Sequence, residues 1–112
     1  MTDAGERMPF RMEEFFGEGH DLRLALVGEL DLAVAEQLSD RLGELKKGGY
    51  AVTLDLSRLK FIDSSGLREL ISAVTESRRD GWTLTIDEQL TDQVRRVIDL
   101  VGARAYFWPE HA

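Results

Sequence analysis

Phe61-Ile62-Asp63-Ser64-Ser65-Gly66-Leu67 carries an apolar pair into a small polar turn and on into Leu67, Leu70, Ile71 and Val74. Those four residues stand at offsets of 0, 3, 4 and 7, one face of a helix. The pair Phe61-Ile62 should re-enter the core, and the turn presents a hydroxyl at a helix N-terminus. Arg78-Arg79-Asp80-Gly81 ends this helix, and Trp82, Leu84 and Ile86, alternating with threonines, predict a strand. Upstream, Tyr50 to Leu56 places Val52, Leu54 and Leu56 on one face with few charges, as a central strand requires, and Ser57 to Lys60 reads as a polar link.

Further out, Val34, Leu38, Leu42 and Leu45 predict a helix over 32–47, capped by Asp31 and closed by Gly48-Gly49. Before it, Leu22, Leu24 and Leu26 alternate in a strand stopped at Gly28, and a ragged first strand around Phe10 to Phe16 pairs with it across the turn Gly17 to Asp21. Toward the other end, Val94, Val97, Ile98 and Val101 predict a third helix, with Thr91 or Asp92 as cap and Gly102 as stop; Ala105 to Trp108 reads as a last short strand. Two strands are thus followed by helix, strand, helix, strand, helix, strand. The fold class is α/β, a mixed sheet of about five strands with crossover helices and an antiparallel hairpin at one edge. Residues 1–8 form an expected tail without periodicity, and 9–112 a single domain.

Composition bounds the function. The 112 residues, with no cysteine and a formal charge of −7, can bury one core without disulfide or metal staples. Thiolate zinc sites and cysteine nucleophiles are excluded, and His20 and His111 have no metal-ligand spacing. An acidic chain repels a phosphate backbone, and the pairs Arg78-Arg79 and Arg95-Arg96 make no basic stripe, so no nucleic acid partner is expected. No apolar run approaches the roughly 20 residues of a membrane span, and the first residues lack a signal peptide's pattern; no membrane partner and cytoplasmic residence are the expectations. Neither a Walker loop nor GxGxxG occurs, so no nucleotide cofactor of its own is expected.

The turn at 63–66 allows three readings. Ser64 or Ser65 can be a helix N-cap, accepting a hydrogen bond from an amide two or three residues on, worth about 1 kcal/mol. A phosphate on either serine can instead sit near unpaired amides and the positive end of the helix dipole. A serine hydrolase is the third, but Asp63-Ser64-Ser65-Gly66 is not G-x-S-x-G and no base is placed beside it. Asp31 reads as a helix cap or as part of a partner-facing surface. Gly66 reads as a close backbone approach or a tolerated N-terminal glycine, and Leu67 as core.

Gly28-Glu29-Leu30-Asp31, Leu54-Asp55-Leu56 and Phe61-Ile62-Asp63-Ser64-Ser65-Gly66-Leu67 together resemble the GELD, LDL and F-x-DSSGL segments of STAS domains, most closely the bacterial anti-sigma factor antagonists with a phosphorylatable serine. Val94 to Gly102 is similar to the family's V-x-x-x-L-x-x-x-G helix ending, so the resemblance spans roughly residues 10–108. The resemblance implies Ser64 as phosphate acceptor, with Ser65 the alternative, and a partner-binding surface of Asp31, Asp63, Ser64, Ser65 and Gly66. It also implies the partners: an anti-sigma factor that is a serine kinase of the ATP-binding, histidine-kinase-like type, and a metal-dependent serine phosphatase. The chain would be their substrate, not an enzyme; the alternative is an unphosphorylated STAS scaffold or ligand sensor. Two departures stand out. The family's closing C-terminal helix looks missing after residue 108, and Asp87 to Gln89 replaces its polar, often proline-bearing loop.

Overall fold

The computed structural model describes residues 9–111, and the tail expected over residues 1–8 lies outside the described residues. In chain order the elements are β1 (Arg11–Phe16), β2 (Asp21–Leu30), α1 (Leu32–Lys47), β3 (Ala51–Asp55), β4 (Leu59–Ile62), α2 (Ser64–Asp80), β5 (Leu84–Ile86), α3 (Asp92–Leu100) and the single turn α4 (Arg104–Phe107). A 3-10 turn follows at Pro109–His111. The mixed α/β sheet and its crossover helices match the sequence reading, with corrections that bear on the site.

β2 is the spine of the sheet. β1 pairs with it antiparallel, β3 and then β4 pair parallel with successive lengths of it, and β5 lies parallel beyond β3. Parallel pairs need a crossover connection. α1 supplies it between β2 and β3, and α2 between β4 and β5. Between β3 and β4 a short bend suffices, because the chain keeps its direction along β2. Asp55 makes that bend by accepting the Ser57 amide at 2.9 Å and the Ser57 hydroxyl at 2.7 Å.

β4 is a strand that the sequence pattern hides. Leu59 and Ile62 are buried while Lys60 and Phe61 are exposed. Gly28 faces Leu59 and Glu29 faces Phe61, so Lys60 is an extra residue bulged out of the ladder. The bulge erases the period-2 signal, and of the apolar pair only Ile62 reaches the core. Nor does Gly28 stop β2: with φ 98° it turns the chain at the bulge, and β2 continues to Leu30.

The last expected strand is also corrected. Residues 104–107 form α4, because Trp108 is drawn into the core and its indole Nε1 donates to the Ile86 carbonyl at 2.5 Å. Arg78 donates to the Tyr106 carbonyl at 2.7 Å, and Thr75 bonds the Tyr106 hydroxyl, so this turn is fastened to α2. After α3 the described chain has only these single turns and no long closing helix.

The core gathers Leu24, Leu26 and Leu30 of β2, Leu38, Leu42 and Leu45 of α1, Leu54 of β3, Leu70 and Val74 of α2, and Val94 and Ile98 of α3. The predicted faces of the three long helices are therefore the ones that pack. Val101 is the exception, exposed past the end of α3. Among the described residues no helix is long and apolar enough to cross a membrane.

Candidate functional site

Two strand-to-helix turns lie side by side at the carboxyl ends of β2 and β4. Leu30 and Ile62 are register partners, each buried, each followed by an aspartate in extended conformation that opens a helix. Asp31 caps α1 through Oδ1, which accepts the Ala33 N–H at 3.1 Å. Asp63 caps α2 through Oδ1, which accepts the Gly66 N–H at 2.8 Å. Its Oδ2 reaches across to accept the Leu32 N–H at 3.3 Å. One carboxylate thus satisfies an orphan amide of two helices at once.

This settles which residue caps α2. Neither serine does so, because the preceding aspartate fills that place, leaving Ser64 at the first helical position and exposed, and Ser65 next and half-buried. Among the described residues, no hydrogen bond to the protein engages either hydroxyl, and no histidine stands beside them: His20 lies at the β1–β2 turn, against Tyr50. The Ser64 hydroxyl is exposed, and among the described residues no imidazole is placed beside it.

Gly66 is held at close quarters. A Cβ there would lie 2.6 Å from the Leu30 carbonyl oxygen and 2.8 Å from Leu30 Cγ, so only glycine lets α2 start against the end of β2. Leu67 is in the core, 4% exposed. Around the serine the surface is apolar as well as acidic: Leu32 is 74% exposed and Phe61 39%. Asp31, Asp63, Ser64, Ser65 and Gly66 are therefore brought together on two adjoining turns.

A support for this site was not expected from the sequence. The N–H of Asp63 donates to the Leu30 carbonyl, so the N–H and C=O of Ile62 point away from β2. Gln93 of α3 takes both: its Oε1 accepts the Ile62 N–H at 2.9 Å, and its Nε2 donates to the Ile62 carbonyl at 3.3 Å. Thr91, one of the two residues expected to cap α3, holds the cap position but makes no side-chain cap bond and donates instead to the Leu59 carbonyl at 2.6 Å. Polar residues at the start of a helix are commonly solvated or capping, which is why sequence alone does not mark this pair.

Charged groups also meet in the seam between α1 and α2. Lys46 bonds Glu76 and Asp80 at 2.7 and 2.6 Å across the α1–α2 seam, and Arg79 and Lys46 together lower Asp80 to about 2. Glu69, in the same seam, is held above the ordinary carboxylate value, by burial first and then by Glu76 and Asp40, against a hydrogen bond from Ser39. Among the described residues no group of three or more His, Asp or Glu side chains is arranged to hold a metal ion.

Comparison with known proteins agrees with this geometry. The family model described as "Mlab, STAS domain" matches residues 15–105. BtrV of Bordetella bronchiseptica, named as a candidate anti-sigma factor antagonist, is 36% identical over 83 residues, 73% of this chain and 71% of its own. The anti-sigma-B factor antagonist of Bacillus subtilis is 25% identical over 85 residues, 76% of this chain and 77% of its own. In structure, an anti-sigma factor antagonist from Mycobacterium paratuberculosis superposes with a TM-score of 0.68, at 21% identity over 96% of this chain and 88% of that one. The Bacillus antagonist SpoIIAA in its unphosphorylated form gives 0.66, at 23% identity over 84% of this chain and 81% of that one. With the matched segment spanning both capped turns and the strands that carry them, the chain belongs to the STAS domain family, among its anti-sigma factor antagonists.

Proposed function

We propose that the chain is a phosphorylation-controlled partner switch. In this reading the unmodified domain binds an anti-sigma factor through the surface around Asp31, Asp63, Ser64, Ser65 and Gly66, and so releases a sigma factor for transcription. Phosphate on Ser64 ends that binding. The partner is a serine kinase of the ATP-binding, histidine-kinase-like type, a metal-dependent serine phosphatase restores the unmodified state, and all act in the cytoplasm. The chemistry belongs to those partners, and this chain is their substrate.

The observation that carries the reading is the position of Ser64: exposed, at the first position of a 17-residue helix whose cap is already supplied by Asp63. Modifying the hydroxyl leaves the cap intact. The phosphate would stand near amides of the first turn and the positive end of the helix dipole, which tolerate it in the free protein. In a close interface the same group adds about −1.5 to −2 charges beside Asp63 and Asp31, with repulsion and desolvation cost for any partner built to fit the unmodified surface. A relative of the same fold, SpoIIAA, has been solved in both phosphorylated and unphosphorylated forms.

Capture from native cells tests the reading. Ser64→Ala should retain the anti-sigma factor under all conditions, and Ser64→Asp should lose it while staying folded. Equal capture by wild type, Ser64→Ala and Ser64→Asp would favour an unphosphorylated scaffold or ligand sensor instead.

A further inference from the structure

We propose that Gln93 is a positioning residue for the Ser64 turn, through which α3 sets the conformation of residues 62–66. The regulatory meaning of this inference rests on the partner-switch reading; the clamp itself does not. Ile62 is the last residue of β4 and lies two positions before Ser64. On the β2 side its neighbour is fixed by the Asp63 N–H to the Leu30 carbonyl at 3.2 Å. On the outer side no strand follows among the described residues, and an unpaired amide at a residue 1% exposed is costly.

The Gln93 carboxamide fills that edge as one peptide unit would, one acceptor and one donor on the same residue. Thr91 repeats the contact three residues earlier, at Leu59, so α3 grips β4 at both ends of the strand. The first turn of α2 then has two anchors: Asp63 ties it to α1, and Gln93 ties it to α3. Gln93 is half-buried and its hydrogen bonds go to Ile62 and not to the Ser64 hydroxyl, so its influence passes through the Ile62 backbone.

Two variants separate positioning from bulk stability. Gln93→Ala removes both bonds; Gln93→Glu keeps the acceptor for the Ile62 N–H and loses the donor for its carbonyl. Amide hydrogen exchange followed by NMR should show Ile62 exchanging at least tenfold faster in Gln93→Ala, with the Ser64, Ser65 and Gly66 amide resonances displaced and the core strands unchanged. Gln93→Glu should recover most of the Ile62 protection. In native cells the phosphorylated share of the tryptic peptide Phe61–Arg68 should change at least threefold in Gln93→Ala.

Wild-type exchange at Ile62 and unmoved Ser64 to Gly66 resonances in Gln93→Ala would overturn the clamp. Faster exchange at Ile62 with unmoved serine resonances would reduce Gln93 to an edge cover and overturn the positioning role. So would an unchanged phosphorylated share where the wild type is modified. Absence of phosphate in the wild-type peptide would overturn the partner-switch reading alone, and the NMR result would then decide the clamp.

Discussion

The turns that open α1 and α2 are built on one plan, and two of the differences between them matter most. In each, a buried aliphatic residue ends a strand and an aspartate caps a helix, and Leu30 and Ile62 are register partners. The first helical residue is Leu32 in one and Ser64 in the other; the third is Val34 in one and Gly66 in the other. The first difference puts a modifiable hydroxyl on the surface. The second lets α2 approach so closely that its cap can also serve α1. A shared local grammar makes the fold, and these two departures from it set the candidate site apart.

Gly66 should be the most sensitive of these positions. Gly66→Ala places a Cβ against the Leu30 carbonyl, a backbone atom that cannot step aside, and should cost about 3 kcal/mol in urea unfolding. The matching change in the other turn, Val34→Ala, removes a half-buried side chain and should cost about 1 kcal/mol. Equal losses would erase the distinction between the turns.

Asp63→Ala comes next, at about 2 kcal/mol, because two helices lose an amide acceptor; Asp31→Ala should cost about 1 kcal/mol. A double substitution sharpens this. Since Asp63 bonds the turn that Asp31 opens, the pair should be non-additive.

A smaller effect lies along the seam between the two helices. Glu69 binds its proton more tightly in the folded protein than the ordinary value of 4.5 would allow, so its contribution favours folding at low pH and is lost as pH rises through the raised folded value. Glu69→Gln should therefore raise the thermal midpoint at pH 7, and the gain over wild type should shrink at pH 4. A gain of the same size at both pH values would show that burial of the charge is not the cause.

The smallest expected effect is at Ser64. Ser64→Ala should change stability by less than about 0.5 kcal/mol, since the hydroxyl caps nothing. A loss of 1 kcal/mol or more would mean that the serine shares in the cap, and the functional contrast between the turns would weaken.

The sequence made much of this legible. The helical faces, the β1–β2 hairpin and the Asp31 cap follow from spacing and residue type, and the segments Gly28–Asp31 and Phe61–Leu67 carry the family resemblance. β4 was hidden because the bulged Lys60 breaks its alternation. Residues 105–108 are a short apolar, aromatic run that reads as a strand, yet the indole of Trp108 finds its partner in the Ile86 carbonyl and the segment winds into a turn. The cap of α2 was ambiguous because Asp, Ser and Ser are all good caps, and only the backbone position of Asp63 decides among them. Gln93 was silent, since nothing in the sequence says where an amide side chain thirty-one residues away will point.

The central claim is that Ser64 is the residue on which the switch turns, and tandem mass spectrometry of the protein from its native cells tests it most directly. Trypsin releases Phe61 to Arg68 with both candidate serines on one peptide. The account predicts phosphate on Ser64 in a share that varies with growth condition. The unmodified peptide, well detected in every condition and never phosphorylated, would contradict it.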